Sequence, residues 1–79
     1  MIPGKLYKSK LLITFDKIDG KLLPWNAPFI LPEDSIILFL GYDKISLGGD
    51  VANIIYHKNT ILKRCTRSEI FQDWFEAIS

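Results

Sequence analysis

The sequence predicts a mainly β fold: a small, strongly curved barrel of about five strands, closed by a short C-terminal amphipathic helix. Three observations carry that prediction. A polar turn, Pro32 to Asp34, feeds directly into the apolar run Ile36-Ile37-Leu38-Phe39-Leu40, which ends at Gly41; a turn delivering the chain into a short apolar run reads as a buried central strand. Two compact turn signals, Asp19-Gly20 and His57-Lys58-Asn59, each separate apolar segments. Near the C-terminus the spacing of apolar residues changes to that of a helix.

From the N-terminus, Pro3-Gly4 is an entry turn, and Lys5-Leu6-Tyr7-Lys8-Ser9 alternates polar with apolar as a half-buried strand does. Leu11 to Phe15 is rich in branched and aromatic residues and reads as a second strand, or as the first continued across a bend. Asp19-Gly20 is a hairpin signal, because glycine adopts the positive φ a tight turn needs. The chain returns through Lys21-Leu22-Leu23 and is then broken by Pro24 and Pro28. Proline donates nothing to a ladder, so this segment is an edge or a loop.

Phe29-Ile30-Leu31 is short and apolar. The central strand, Ser35 to Tyr42, follows; its residues are apolar on both alternating faces, which suits a strand that bends between two half-sheets. Ile36, Leu38 and Leu40 share one face and Ile37 and Phe39 the other, with Leu38 expected to be fully buried. Residues 43–50 read as a loop around Gly48-Gly49, and Val51 to Tyr56 as the next strand. After the 57–59 turn, where asparagine tolerates a left-handed backbone, residues 60–65 pair back with Leu62, and with it Ile61 or Cys65, facing in. Thr66-Arg67-Ser68-Glu69 matches a capping box: the Thr66 hydroxyl accepts the Glu69 N–H and the Glu69 carboxylate accepts the Thr66 N–H. Beyond it Ile70, Phe71, Trp74, Phe75 and Ile78 recur at helical spacing, predicting an amphipathic helix over about 67–77.

Seventy-nine residues make a single domain, 1–79. A chain of this size buries only about 60% of the surface its unfolded form exposes. The hydrophobic share of 48% nevertheless supplies a core, and the Phe71, Trp74, Phe75 cluster predicts a tail that docks. The net charge of +1 provides no overall electrostatic footprint for nucleic acid or anionic lipid. Met1-Ile2-Pro3-Gly4 leads into a lysine-rich strand rather than a long apolar segment, so no signal peptide is expected. The apolar run Ile36 to Leu40 is too short for a membrane helix. With one cysteine, Cys65, an internal disulfide is excluded, and a reducing, cytoplasmic setting is expected.

The order Gly4-Lys5-Leu6-Tyr7, then Leu31-Pro32-Glu33-Asp34-Ser35-Ile36-Ile37-Leu38-Phe39-Leu40, then Ile54-Ile55-Tyr56-His57-Lys58-Asn59 resembles small SH3-like barrel proteins of the kind encoded by tailed phages, including those of marine bacteria. The resemblance covers most of residues 4–66. It implies an SH3-like barrel and a phage origin, and it carries no catalytic residues. Proline-peptide-binding members of that fold use an aromatic-lined groove with an Ala-Leu-Tyr-Asp-Tyr-type motif and adjacent tryptophans. Here Leu6-Tyr7 is followed by Lys8, and Trp25 and Trp74 lie far apart in the chain, so polyproline recognition is not carried over.

Enzyme chemistries find little to work with. His57 and Cys65 as base and nucleophile would lie roughly 25 Å apart along an extended strand at about 3.3 Å per residue; the histidine is expected in an exposed turn and the cysteine in the core. One Cys and one His do not make a zinc site. Gly48-Gly49-Asp50 lacks the Gly-Lys-Ser/Thr of a phosphate loop, and Asp16 and Asp19 lack calcium-loop spacing. The expectation is therefore no enzyme and no cofactor or metal. A protein partner fits better, held by Trp25 and Asn26 with help from Tyr7 or Tyr56. The proline-flanked indole is either a plug folded onto the barrel or an exposed anchor. The C-terminal helix likewise covers a barrel end or docks in a partner. The alternative is a nucleic-acid-binding module using Lys8, Lys10, Lys58, Lys63, Arg64 and Arg67. The functional expectation is an interaction module: a phage accessory, virion-associated or host-directed adaptor or inhibitor, residing in the host cytoplasm or the virion. No membrane is expected as partner, and oligomeric state is not legible in the sequence.

Overall fold

Both turn signals form two-residue hairpins. Asp19 and Gly20 have φ of 50° and 82°, and Lys58 and Asn59 have 47° and 64°. Positive φ at both central positions is the turn geometry whose twist matches that of paired strands. The first joins β3 (Lys17–Ile18) to β4 (Lys21–Leu22), and the second joins β7 (Val51–His57) to β8 (Thr60–Thr66) with His57 opposite Thr60. The protein is described by a computed structural model over residues 1–44 and 48–78.

The longest strand, β6 (Ile36–Lys44), is the centre of the molecule. On one side it pairs with β1 (Leu6–Ser9), from Leu6 opposite Leu38 to Lys8 opposite Ile36. On the other it pairs with β7, and the register shifts between Phe39 and Gly41. The extra residue, Leu40, is a β-bulge, which bends and twists the strand. Gly41 carries the bend at φ 130°, a conformation that side chains resist. Beyond the bulge, among the described residues, β6 is paired only with β7. The last strand, β9 (Phe75–Ala77), runs against the outer side of β1, with Tyr7 opposite Ala77.

The result is a mainly β protein: a seven-stranded antiparallel sheet in the order β4-β3-β8-β7-β6-β1-β9, and a two-stranded ribbon of β2 (Ile13–Phe15) and β5 (Phe29–Leu31). The structure departs from the expected small barrel of about five strands. Nine strands are described, and the larger sheet ends in two edges, β4 and β9, rather than closing on itself.

The core lies on one face of the large sheet. Tyr7, Ile37, Phe39, Ile55 and Leu62 point inward, and Ile13, Phe15 and Leu31 of the ribbon and Phe71 of α1 (Ser68–Gln72) cover them. Phe71 is the hub of the aromatic packing, with ring centroids 6.3 Å from Phe15, 5.8 Å from Trp74 and 5.0 Å from Phe75. Asn53 is buried among these residues, and its Nδ2 donates to the carbonyls of Val51, Arg64 and Thr66 at 3.3, 3.1 and 3.2 Å. Ser9, also buried, ties the 32–35 turn to β1: its hydroxyl donates to the Pro32 carbonyl and accepts the Ser35 N–H, both at 2.9 Å.

Leu38 is not the buried residue of the central strand. Ile37 is 1% exposed and Phe39 is buried, whereas Leu38 is only half-buried on the opposite face. A run that is apolar at every position has no contrast at period two, so the face is set by register with Tyr7 rather than by composition. Truncation of Ile37 to Ala is expected to cost about 2–5 kcal/mol, and truncation of Leu38 clearly less; urea midpoints of the two variants measure the difference.

The helix is also shorter than expected. It spans Ser68–Gln72 with the extended Arg67 as N-cap and no side-chain capping bond, and Asp73 closes it. Thr66 is the last residue of β8, and Phe75–Ala77 are strand, not helix. The ladder that β1 offers to residues 75–77 outweighs their helical spacing, because a short helix gains little on its own. Of the loop expected over 43–50, Asp43 and Lys44 belong to β6, and 45–47 lie outside the described residues.

Candidate interaction surfaces

Strand alternation leaves the second face of the large sheet outward, and that face is apolar too. The registers place Leu6, Leu38, Tyr56 and Ile61 in one row across β1, β6, β7 and β8. Leu6, Tyr56 and Ile61 are exposed, as are Ile36 and Leu40 on either side of Leu38. Neighbours in such a row touch one another across strands, so these residues form a patch rather than scattered side chains. Lys8 sits at its margin, 3.2 Å from Glu76 and 3.9 Å from Asp34.

Trp25 is the most exposed large apolar residue described, at 93%. It occupies the second position of a β-turn closed by the Ala27 N–H donating to the Pro24 carbonyl at 3.0 Å, with exposed Asn26 beside it in the third. The indole is therefore not a plug. Tyr7, however, is not part of this surface: it is buried, and its hydroxyl accepts the Ile2 N–H at 2.7 Å. Tyr56 lies on the outer face, its hydroxyl donating to Asn59 Oδ1 at 2.8 Å. Tyr7 stands opposite Ile37 and Tyr56 opposite Leu38, so the two tyrosines occupy opposite faces of the sheet.

The six basic residues do not converge on one surface. Lys63 and Arg64 are successive strand residues and point to opposite faces. Lys8 is held in its two ion pairs, Arg67 lies 3.8 Å from Glu69, and Lys58 stands at the tip of the β7–β8 hairpin. Lys10 is exposed and donates its backbone N–H to the Trp74 carbonyl at 2.7 Å.

Arg64 faces inward, toward the ribbon. Its Nη1 donates to the Thr14 carbonyl at 2.6 Å and to Thr14 Oγ1 at 2.9 Å, and the guanidinium carbon lies 5.0 Å from the Trp74 ring centroid. Together with Leu11, Leu12 and Ile13 these residues line a cavity of about 130 Å³. Arg64 Nε is enclosed without a hydrogen-bond partner, a condition that costs about 1–3 kcal/mol for a buried polar group. Among the other basic residues of the sequence Arg64 reads as a surface cation. The available signal was alternation: with Leu62 inward, Arg64 two residues later is inward as well.

His57 and Cys65 reverse their expected environments. His57 ends β7 on the inner face, buried, with Nδ1 2.9 Å from the Ile36 carbonyl; that acceptor requires the proton on Nδ1. Cys65 is exposed. The two therefore do not form a nucleophile–base pair. Among the described residues no group of three or more His, Cys, Asp or Glu side chains is placed to hold a metal ion, and no helix is long and apolar enough to cross a membrane. Comparison with protein-family models, curated proteins and solved structures returned no match.

Proposed function

We propose that the chain is a non-enzymatic protein-interaction module of the small SH3-like kind, serving as a phage accessory, virion-associated or host-directed adaptor or inhibitor in the host cytoplasm or virion. The observation that carries the reading is Trp25, 93% exposed on a turn set between two prolines. Tryptophan is the residue type most enriched among binding hot spots. A stiff turn gives up little conformational entropy when its side chain is captured. The long strand bent at a bulge, the short hairpins and the closing helical turn support the SH3-like part of the reading.

The test uses a protein ligand selected against the folded chain. Trp25→Ala is expected to weaken that ligand by more than about 2 kcal/mol, as hot-spot truncations do. The thermal midpoint should stay nearly unchanged, since an exposed substitution moves stability by only about 0.5 kcal/mol. Calorimetric titration and thermal denaturation read the two quantities; an undiminished affinity sinks the proposal. Binding to duplex and single-stranded DNA at about 50 and 200 mM salt is the companion measurement. A fall in affinity of about a thousandfold or more between them would replace this reading with nucleic-acid binding.

A further inference from the structure

We propose that the cavity between Arg64 and Trp74 binds a carboxylate carried on a short aliphatic body. The site is distinct from the Trp25 turn and does not depend on the reading given to it.

Arg64 lines the cavity as a cation anchored at one nitrogen, with Nη1 tied to two oxygens of Thr14 and the guanidinium lying over the Trp74 ring. Among the described residues no carboxylate lies within ion-pair distance of it. Nε is enclosed without a partner, and Nη2 makes no hydrogen bond to a described residue while remaining outside that enclosed class. The guanidinium edge formed by Nε and Nη2 is thus unspent. It is the edge that receives the two oxygens of a carboxylate in parallel, the geometry in which arginine binds such groups most strongly. Nε is closed to solvent, so a carboxylate meets Nη2 first, and the parallel pair with Nε forms when the guanidinium turns toward the cavity.

The remaining walls choose the body of the ligand. Leu11, Leu12, Ile13 and Trp74 present carbon, which favours an aliphatic group over a second charge. The volume of about 130 Å³ is close to that of a cavity known to admit benzene, about 150 Å³; a four-carbon acid is of this size. The same chemistry is offered by a free short-chain acid and by the C-terminal carboxylate of a peptide ending in an aliphatic residue.

The experiment is a nuclear magnetic resonance titration of the ¹⁵N-labelled chain with sodium butyrate at constant ionic strength, with butyramide as neutral isostere. Butyrate is expected to give saturating shifts at the amides of residues 11–14, at the Trp74 indole N–H and at Arg64 Nε–H. Butyramide should bind at least about tenfold more weakly, having lost the charge-assisted pair. Arg64→Lys keeps the charge but not the fork and is expected to weaken butyrate. If that variant fails to fold, the comparison of butyrate with butyramide on the intact chain decides alone. Equal responses to the two, shifts that rise without saturating, or shifts elsewhere in the molecule overturn the proposal. A tripeptide ending in leucine, as free acid and as amide, separates the sources: binding by the acid tighter than butyrate assigns the site to a chain end, and weaker binding assigns it to a free acid.

Discussion

Replacing Phe71 with alanine is expected to remove a large share of the protein's stability at 25 °C. Phe71 is 1% exposed and is the one buried residue of α1. Its ring meets Phe15 of the ribbon, Phe75 of β9, and Trp74, which lies in the chain between α1 and β9. Truncating a buried phenylalanine costs about 3–5 kcal/mol, and a domain of this length has a total stability of only about 4–12 kcal/mol at 0.05–0.15 kcal/mol per residue. A five-residue helix has no independent stability to retain, so α1 loses its attachment and β9 its support. Near-ultraviolet circular dichroism and a urea titration measure the outcome. A loss below about 1 kcal/mol would mean that the aromatic cluster is not the clamp described here.

The second large effect is expected at Asn53. Its Nδ2 donates to three backbone carbonyls on β7 and β8 from a position 1% exposed. Asn53→Asp keeps the shape and replaces the donor with an anion facing carbonyl oxygens. At neutral pH the expected cost is about 3–5 kcal/mol, comparable to leaving a buried charge without its partner. The cost should depend on pH in a definite direction. Burial and the facing carbonyls raise the aspartate pKa in the folded state above its unfolded value of about 3.9. Between those two values the folded state holds a proton that the unfolded state has released, so stability falls as pH rises through the window. The penalty is complete above the folded pKa and shrinks as pH falls toward about 4. Urea midpoints of variant and parent at several pH values test this; a difference constant with pH would contradict it.

What was legible in the sequence was local. Asp19-Gly20 and Lys58-Asn59 each specify a backbone geometry within two residues; the first turn forms where the sequence places it, and the second is one residue shorter than the expected 57–59, because His57 pairs with Thr60 as the end of β7. The prolines around Trp25 likewise mark a turn outside the ladder. The errors arose where the deciding partner is distant. Residues 36–40 are apolar on both faces because the outer sheet face is itself apolar, so composition alone could not orient Leu38. Phe75 fits a helical stripe and also a strand, and its pairing opposite Ser9 decides the matter. Arg64 finds Thr14 fifty positions earlier in the chain, a meeting that no short motif records.

The pairing of β1 with β9 has a kinetic consequence. β6, β7 and β8 follow one another through local connections and can associate as soon as they exist. β1 receives its second neighbour only when residues 75–77 have been synthesised. Distant pairings of this kind cost loop-closure entropy before they return any contact, and they slow folding. During synthesis the opening strand is therefore a bare edge, with unpaired N–H and C=O groups that another chain can use. Pairing of residues 75–77 with β1 is what withdraws this edge from other chains.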